Sequence, residues 1–211
     1  KPEEGKHYVA IGRSDGDNIT TWQTEFVQSL TDFGSPDRGE GEFAMGWSIS
    51  PILAEIFPAL LRNVYRNSND YDYFIAPVSG HGYLYPSMYP EQYREDFFEK
   101  FDTFLGKADL HTVSILDHGQ EVILSKEVAN NYASASNLKG GFVLNGNKYK
   151  GGNGAVVWSD NGKPFIAPKE SLWQEEPGEV VARIGTYWRD YTRIEGYTYI
   201  NLHPWTHTYQ D

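Results

Sequence analysis

The sequence predicts an α/β fold, a barrel-like arrangement of about seven to eight mostly parallel strands, incomplete or distorted, with an inserted β-hairpin. Three observations predict it. Short apolar runs alternate with stretches of helical spacing along the whole chain, which implies parallel strands joined by helical crossovers. Roughly seven such runs favour a ring over an open doubly wound sheet, which is the alternative. No glycine-rich dinucleotide fingerprint follows the first run, which disfavours a nucleotide-binding domain of the open type.

Each element follows from the local pattern. Tyr8-Val9-Ala10-Ile11 reads as a short buried strand, and residues 19–30 as a helix or a partly helical connection. Gly46-Trp47-Ser48-Ile49 is a weak strand, stopped by Ser50-Pro51. Residues 52–67 carry Leu53, Ile56, Phe57, Leu60, Leu61 and Val64 at helical spacing, with Pro58 predicting a kink or a late start. Residues 73–78 form a strand. Residues 91–105 form a helix with Tyr93, Phe97, Phe101 and Phe104 on one face. The same rhythm returns with a strand at 112–116, a helix at 121–135 and a strand at 141–144. Residues 155–158 and 164–166 flank Asn161-Gly162, a tight-turn signal, and make the hairpin. Residues 179–191 form a helix with Val180, Ile184, Tyr187 and Trp188 inward, and residues 197–202 the last strand. No linker or repeat divides the chain, so residues 1–211 read as a single barrel-like domain. The abrupt start and end lead us to expect a longer parent chain.

Composition limits the partners. With 18 basic and 29 acidic residues, the net charge of −11 argues against nucleic acid, whose phosphates need a basic footprint. It also argues against an anionic membrane surface. No apolar run approaches the ~18 residues of a membrane-spanning helix. The absence of cysteine excludes disulfides, thiolate metal sites and a cysteine nucleophile. The 15 Tyr and 6 Trp exceed what a core needs and favour a surface for amphipathic ligands, of which carbohydrate is the commonest.

In parallel α/β folds the chemistry gathers at the carboxyl ends of the strands. Asp15-Gly16-Asp17-Asn18 follows the first strand. It reads either as a catalytic or metal-binding turn or as an Asx turn capping the next helix. Asp117-His118 closes the strand at 112–116; the Asp is either an acid or base or an acceptor for a neighbouring turn. His203-Pro204-Trp205-Thr206-His207 offers a histidine pair, although Pro204 forces His203 toward extended backbone and away from helical metal-ligand geometry. After the strand at 73–78 come Ser79 and Gly80-His81-Gly82-Tyr83-Leu84-Tyr85-Pro86. Its two glycines permit a tight exit, its two tyrosines alternate, and Pro86 fixes the way out. This reads as an aromatic platform beside a pocket or as a hairpin whose tyrosines cover the core.

That heptad matches the signature of the GxGYxYP family of putative glycoside hydrolases, and the chain resembles that family over most of its length. Ser14-Asp15-Gly16-Asp17-Asn18, Gly46-Trp47-Ser48-Ile49-Ser50-Pro51 and Asp72-Tyr73-Phe74 add to the resemblance. It implies a bacterial protein, extracellular or periplasmic, that processes carbohydrate with a barrel-like catalytic domain and carries an additional N-terminal domain.

Catalytic roles come from the residues themselves. Asp117 and one of Asp15 or Asp17 form the expected acid–base pair. Tyr83, Tyr85, Trp47, Trp158 and Trp205 are the expected sugar platforms. Asn18, His203 and His207 bind hydroxyls or tune a carboxylate, and Ser79, His81 and His118 complete the substrate-binding set. No cofactor or metal is required. Two rival readings remain open. One is a metal-dependent carbohydrate deacetylase, which would hold a divalent ion; the other is a carbohydrate-binding module without catalysis.

Overall fold

In the computed structural model the described residues are 1–24, 33–35, 44–118, 123–145 and 152–208. Along the chain come β1 (Tyr8–Arg13), α1 (Ile19–Gln23), β2 (Met45–Ser48), α2 (Leu53–Ile56), α3 (Pro58–Arg66), β3 (Asp72–Ile75) and α4 (Arg94–Ala108). Then follow β4 (Thr112–Ile115), α5 (Lys126–Ala133), β5 (Gly140–Val143), β6 (Val156–Trp158), β7 (Pro164–Ile166), β8 (Glu170–Leu172), α6 (Pro177–Ile184) and β9 (Tyr197–Leu202).

The strands form two sheets, ordered β3-β2-β1-β9-β8 and β4-β5-β7-β6. Every pairing is parallel except β6 with β7, the hairpin that the Asn161-Gly162 turn predicts. The α/β class and the parallel pairing agree with the sequence reading; among the described residues the ladders show no closed barrel. Among the described residues the sheets are joined by one hydrogen-bonded seam and by one run of chain. Ala76, just past β3, bridges to Val113, and Ser79 N–H donates to the Ser114 carbonyl at 2.7 Å. On the other side one run of chain passes from β7 of one sheet into β8 of the other, where Lys169 N–H donates to the Tyr199 carbonyl at 3.2 Å and so continues the β8–β9 pairing. The sheets also face each other, because the ring of Tyr199 on β9 stacks on Phe142 of β5 at 3.8 Å. Gly12 makes room for that ring: a Cβ there would lie 2.4 Å from the Tyr199 hydroxyl.

Helices bury aromatic faces against the outer sides of the sheets. On α4, Phe97, Phe98, Phe101 and Leu105 are buried, while Tyr93, expected on that face, precedes the helix and is exposed. Phe98 and Phe101 meet Tyr132 of α5 edge-on at 4.9 and 5.6 Å, so the two helices share one aromatic core. Pro58 acts as a helix start rather than a kink. Phe57 leaves helical backbone at φ −149 and ψ 60, and Pro58 opens α3, where its missing N–H costs nothing. The last crossover helix is shorter than expected: it ends at Ile184, and Trp188 is exposed rather than inward. Of the helix expected over 19–30, residues 19–23 are helical and 25–30 lie outside the described residues.

Candidate active site

Two strand exits carry strained backbone. Asp15 after β1 has φ 66 and Ser79 after β3 has φ 61, both in the left-handed region that non-glycine residues rarely occupy. The first exit is tied down on both sides. Ser14 N–H donates to the Leu202 carbonyl at 3.1 Å, and Gly16 N–H donates to Ser48 Oγ at 2.7 Å. Gly16 lies so close to β2 that a Cβ on it would sit 1.6 Å from the Ser48 carbonyl oxygen. The turn held by these ties presents Asp15, Asp17 and Asn18 to a pocket of about 210 Å³. Its remaining walls are Ser14, the strand-exit residues Val78, Leu116 and Leu144, and Tyr83 of the motif. Asn18 stands at the N-cap of α1 but makes no side-chain cap bond, so the capping explanation of this turn does not account for it.

The two carboxylates differ in their surroundings. Burial pushes both above the usual aspartate value. Asp15 has compensation: the Trp205 side chain and the Arg13 guanidinium lie nearby, and both favour its ionised form. Asp17 has a backbone N–H for support, while the charge of Asp15 raises it further. Of the two, only Asp17 carries the like charge of its neighbour as an added cause that favours the protonated form.

The motif builds a rim above the pocket. The rings of Tyr83 and Tyr85 meet edge-on, 6.1 Å apart at 79°, and Tyr85 meets His118 in the same way at 5.6 Å. Both tyrosines are exposed. Asp117 holds this loop from below. Its Oδ1 accepts from Ser87 N–H at 2.9 Å, Ser87 Oγ at 2.7 Å and His118 N–H at 2.8 Å, and its own N–H donates to Asn145 Oδ1 at 2.6 Å. The alternative in which Asp117 is an acceptor for a neighbouring turn is thus realised. Removing that carboxylate leaves three part-buried donors without their acceptor. Asp117→Ala is expected to cost about 2–3 kcal/mol, and Asp117→Asn, which keeps an acceptor, clearly less. Urea denaturation of the two variants checks the order.

Several expected ligand contacts lie elsewhere. Trp47 is fully buried and donates through Nε1 to Asp72 Oδ1 at 2.7 Å, so it packs the helix layer. His81 turns away from the rim and stacks on Phe97 of α4 at 4.4 Å; burial there and Lys100 lower its pKa. Ser79 is buried, bonding the Leu116 carbonyl through Oγ at 2.9 Å and accepting the Tyr132 hydroxyl on its carbonyl at 2.8 Å. Trp158 is exposed but ends the antiparallel strand β6 opposite Pro164, the first residue of β7. It therefore lies at the strand-start end, opposite the pocket.

His203 is buried, stacked on Trp173 at 4.0 Å, and backs the loop that carries Trp205. His207 N–H donates to the His203 carbonyl at 3.3 Å, and Arg13 Nη1 donates to the His207 carbonyl at 3.3 Å, so the segment forms one turn over Arg13. Among the described residues no group of three or more His, Asp or Glu side chains is placed to hold a metal. Burial and the nearby Arg13 lower the His203 pKa to about 4 from an ordinary 6.5. The unfolded chain therefore binds this proton first as pH falls. The stability that His203 contributes is complete above about pH 6.5 and is lost toward pH 4. Replacement by Phe is expected to flatten the melting temperature over that window, which a pH series of thermal melts reads directly. Arg13, Ser87 and Trp173 were not anticipated. Of these, Arg13, a charge at the end of an apolar strand just before Ser14-Asp15, carried a readable signal.

Fold and site together define a parallel α/β domain with a carboxylate pocket at the carboxyl ends of its strands. The chain belongs to the GxGYxYP family: residues 5–211 match the model described as "GxGYxYP putative glycoside hydrolase C-terminal domain". It is also similar to a crystal structure described as a "putative hydrolase" from Bacteroides thetaiotaomicron VPI-5482, with 32% identity and a TM-score of 0.86. That match covers 100% of this chain and 41% of the other, so the chain spans about two-fifths of that protein's length. Among curated proteins no match was found.

Proposed function

We propose that this domain is the catalytic domain of a glycoside hydrolase in which Asp15 and Asp17 are the reacting carboxylates. The observation that carries this reading is the pair itself: two aspartates of unequal support, both raised by burial, opening into one pocket beneath a tyrosine rim. Asp17, the protonated member, donates to the glycosidic oxygen. Asp15, kept ionised by Trp205 and Arg13, acts on water or on the anomeric carbon. Tyr83, Tyr85 and Trp205 supply faces for sugar rings, with Asn18 and His118 at hand for hydroxyls. Asp117 acts through the loop it anchors. The chemistry calls for no metal or cofactor.

The two sheets are read here as one interrupted barrel, with the Ala76 bridge as one seam and the β7–β8 run as the other. We further read the natural protein as bacterial, extracellular or periplasmic, with another domain ahead of this one. The length of the matched crystal chain supports that last point.

The test is incubation with a panel of neutral oligosaccharides, scored for new reducing ends and for the anomer first formed. Release of reducing sugar supports the reading. Saturable binding without product would make this a carbohydrate-binding module instead. Acetate release dependent on a divalent ion would mean a deacetylase.

A further inference from the structure

The end of the domain opposite the pocket is unusually apolar for a surface. Tyr73 near the start of β3, Tyr197 at the start of β9, Val9 near the start of β1 and Trp158 beside the start of β7 are 61%, 39%, 41% and 54% exposed. Two adjoining cavities of about 680 and 330 Å³ open there. Both are lined by Val9, Ala10, Phe142 and Tyr199, so they form one depression that reaches the stacked Phe142–Tyr199 pair between the sheets. Asp109, His111 and Lys139 stand around the larger one. An apolar centre with a polar surround is the anatomy of a protein interface, and a patch of this kind on a soluble domain marks an interaction site.

We infer that this strand-start face is where a second domain of the same polypeptide docks. Two findings select that occupant. The matched family describes a C-terminal domain, and the matched crystal chain has well over half its length outside the region shared with this one. Residues 1–7 lead into β1 at this very end, with Glu3 N–H donating to the Tyr8 hydroxyl, so a domain that precedes β1 in sequence emerges beside the depression. The inference is independent of the glycosidase reading.

Hydroxyl-radical footprinting of the complete natural chain tests it with matched internal references. Tyr73 and Tyr83 are 61% and 59% exposed here, and Trp158 and Trp205 are 54% and 59% exposed, at opposite ends of the domain. Docking is expected to slow oxidation of Tyr73 and Trp158 several-fold relative to Tyr83 and Trp205, at every protein concentration. Substituting Tyr73→Glu together with Trp158→Glu should then turn one thermal transition of the full chain into two. Equal oxidation rates within each pair overturn the inference. So does protection that disappears on dilution, which would mean a second copy, or protection that appears only with added oligosaccharide, which would mean a ligand groove. A natural chain with no further domain overturns it outright. Loss of the glycosidase reading would move none of these rates.

Discussion

Asp17→Asn is expected to lower turnover of a cleavable oligosaccharide by about 10²–10⁴-fold, the range general acid catalysis supplies, while leaving its binding near the wild-type level. The side chain keeps its size and place in the pocket wall, so what disappears is the transferable proton. The pH dependence should change with it. Under the proposed mechanism, wild-type activity should fall as pH rises through the raised Asp17 pKa, because the acid is then spent; in the variant that limb should vanish. Stability is expected to move the other way. The folded pKa of Asp17 lies above its ordinary 3.8, so the folded state binds this proton more tightly than the unfolded one. Stability therefore declines as pH rises from the ordinary value to the folded value, and the deficit persists at neutral pH. The neutral amide removes it. A higher melting temperature at pH 7, converging with wild type in acid, is the expected accompaniment. A variant with full activity would remove Asp17 from the chemistry. One with less stability and less activity would show a structural role instead.

The strands were legible because each is a short apolar run, and the turn at Asp15 because strand exits are where such folds place polar residues. Which face a residue takes was much less legible. Trp47 and its neighbours Gly46 and Ser48 belong to a parallel strand buried on both sides, so neither face announces itself by polarity. Trp158 was assigned to the wrong end because that end depends on strand direction, and β6 runs against its sheet. The strand β8 was missed for a different reason. Glu-Ser-Leu looks like loop sequence, yet Glu170 is buried there because Arg183 holds it through two N–H groups at 2.8 and 3.2 Å and the Tyr187 hydroxyl also donates to it. A partner thirteen residues away rescues the charge, and no local pattern encodes that. The same holds for Asp117. Its role depends on Ser87, thirty positions earlier, which nothing in the strand that it closes would suggest.

The largest expected loss of stability belongs to Gly16 rather than to any charged residue. A methyl group at Gly16 would lie 1.6 Å from the Ser48 carbonyl oxygen and 2.2 Å from its carbon, so Gly16→Ala must drive the β1 exit away from β2. Neither side can yield cheaply. The Ser48 carbonyl accepts the buried Trp22 Nε1 at 2.9 Å, and Ser48 Oγ accepts Gly16 N–H at 2.7 Å. Separation breaks at least one of these bonds in a core where an unpaired group costs about 1–3 kcal/mol, besides the overpacking itself. A total of about 3 kcal/mol or more is expected, read as a fall in the urea midpoint with an unchanged slope. Gly82 of the motif provides the control. Among the described residues no atom beyond its two chain neighbours lies within 4 Å of a Cβ built there, and its φ is not in the left-handed range, so Gly82→Ala should leave stability unchanged. The contrast separates two reasons for glycine at one site. At Gly16 the backbone of a neighbouring strand occupies the space, and Asp15 and Asp17 are held on either side of that contact. At Gly82 the space is open and borders the tyrosine rim, so an effect of Gly82→Ala on oligosaccharide binding without one on stability would place that opening in ligand recognition.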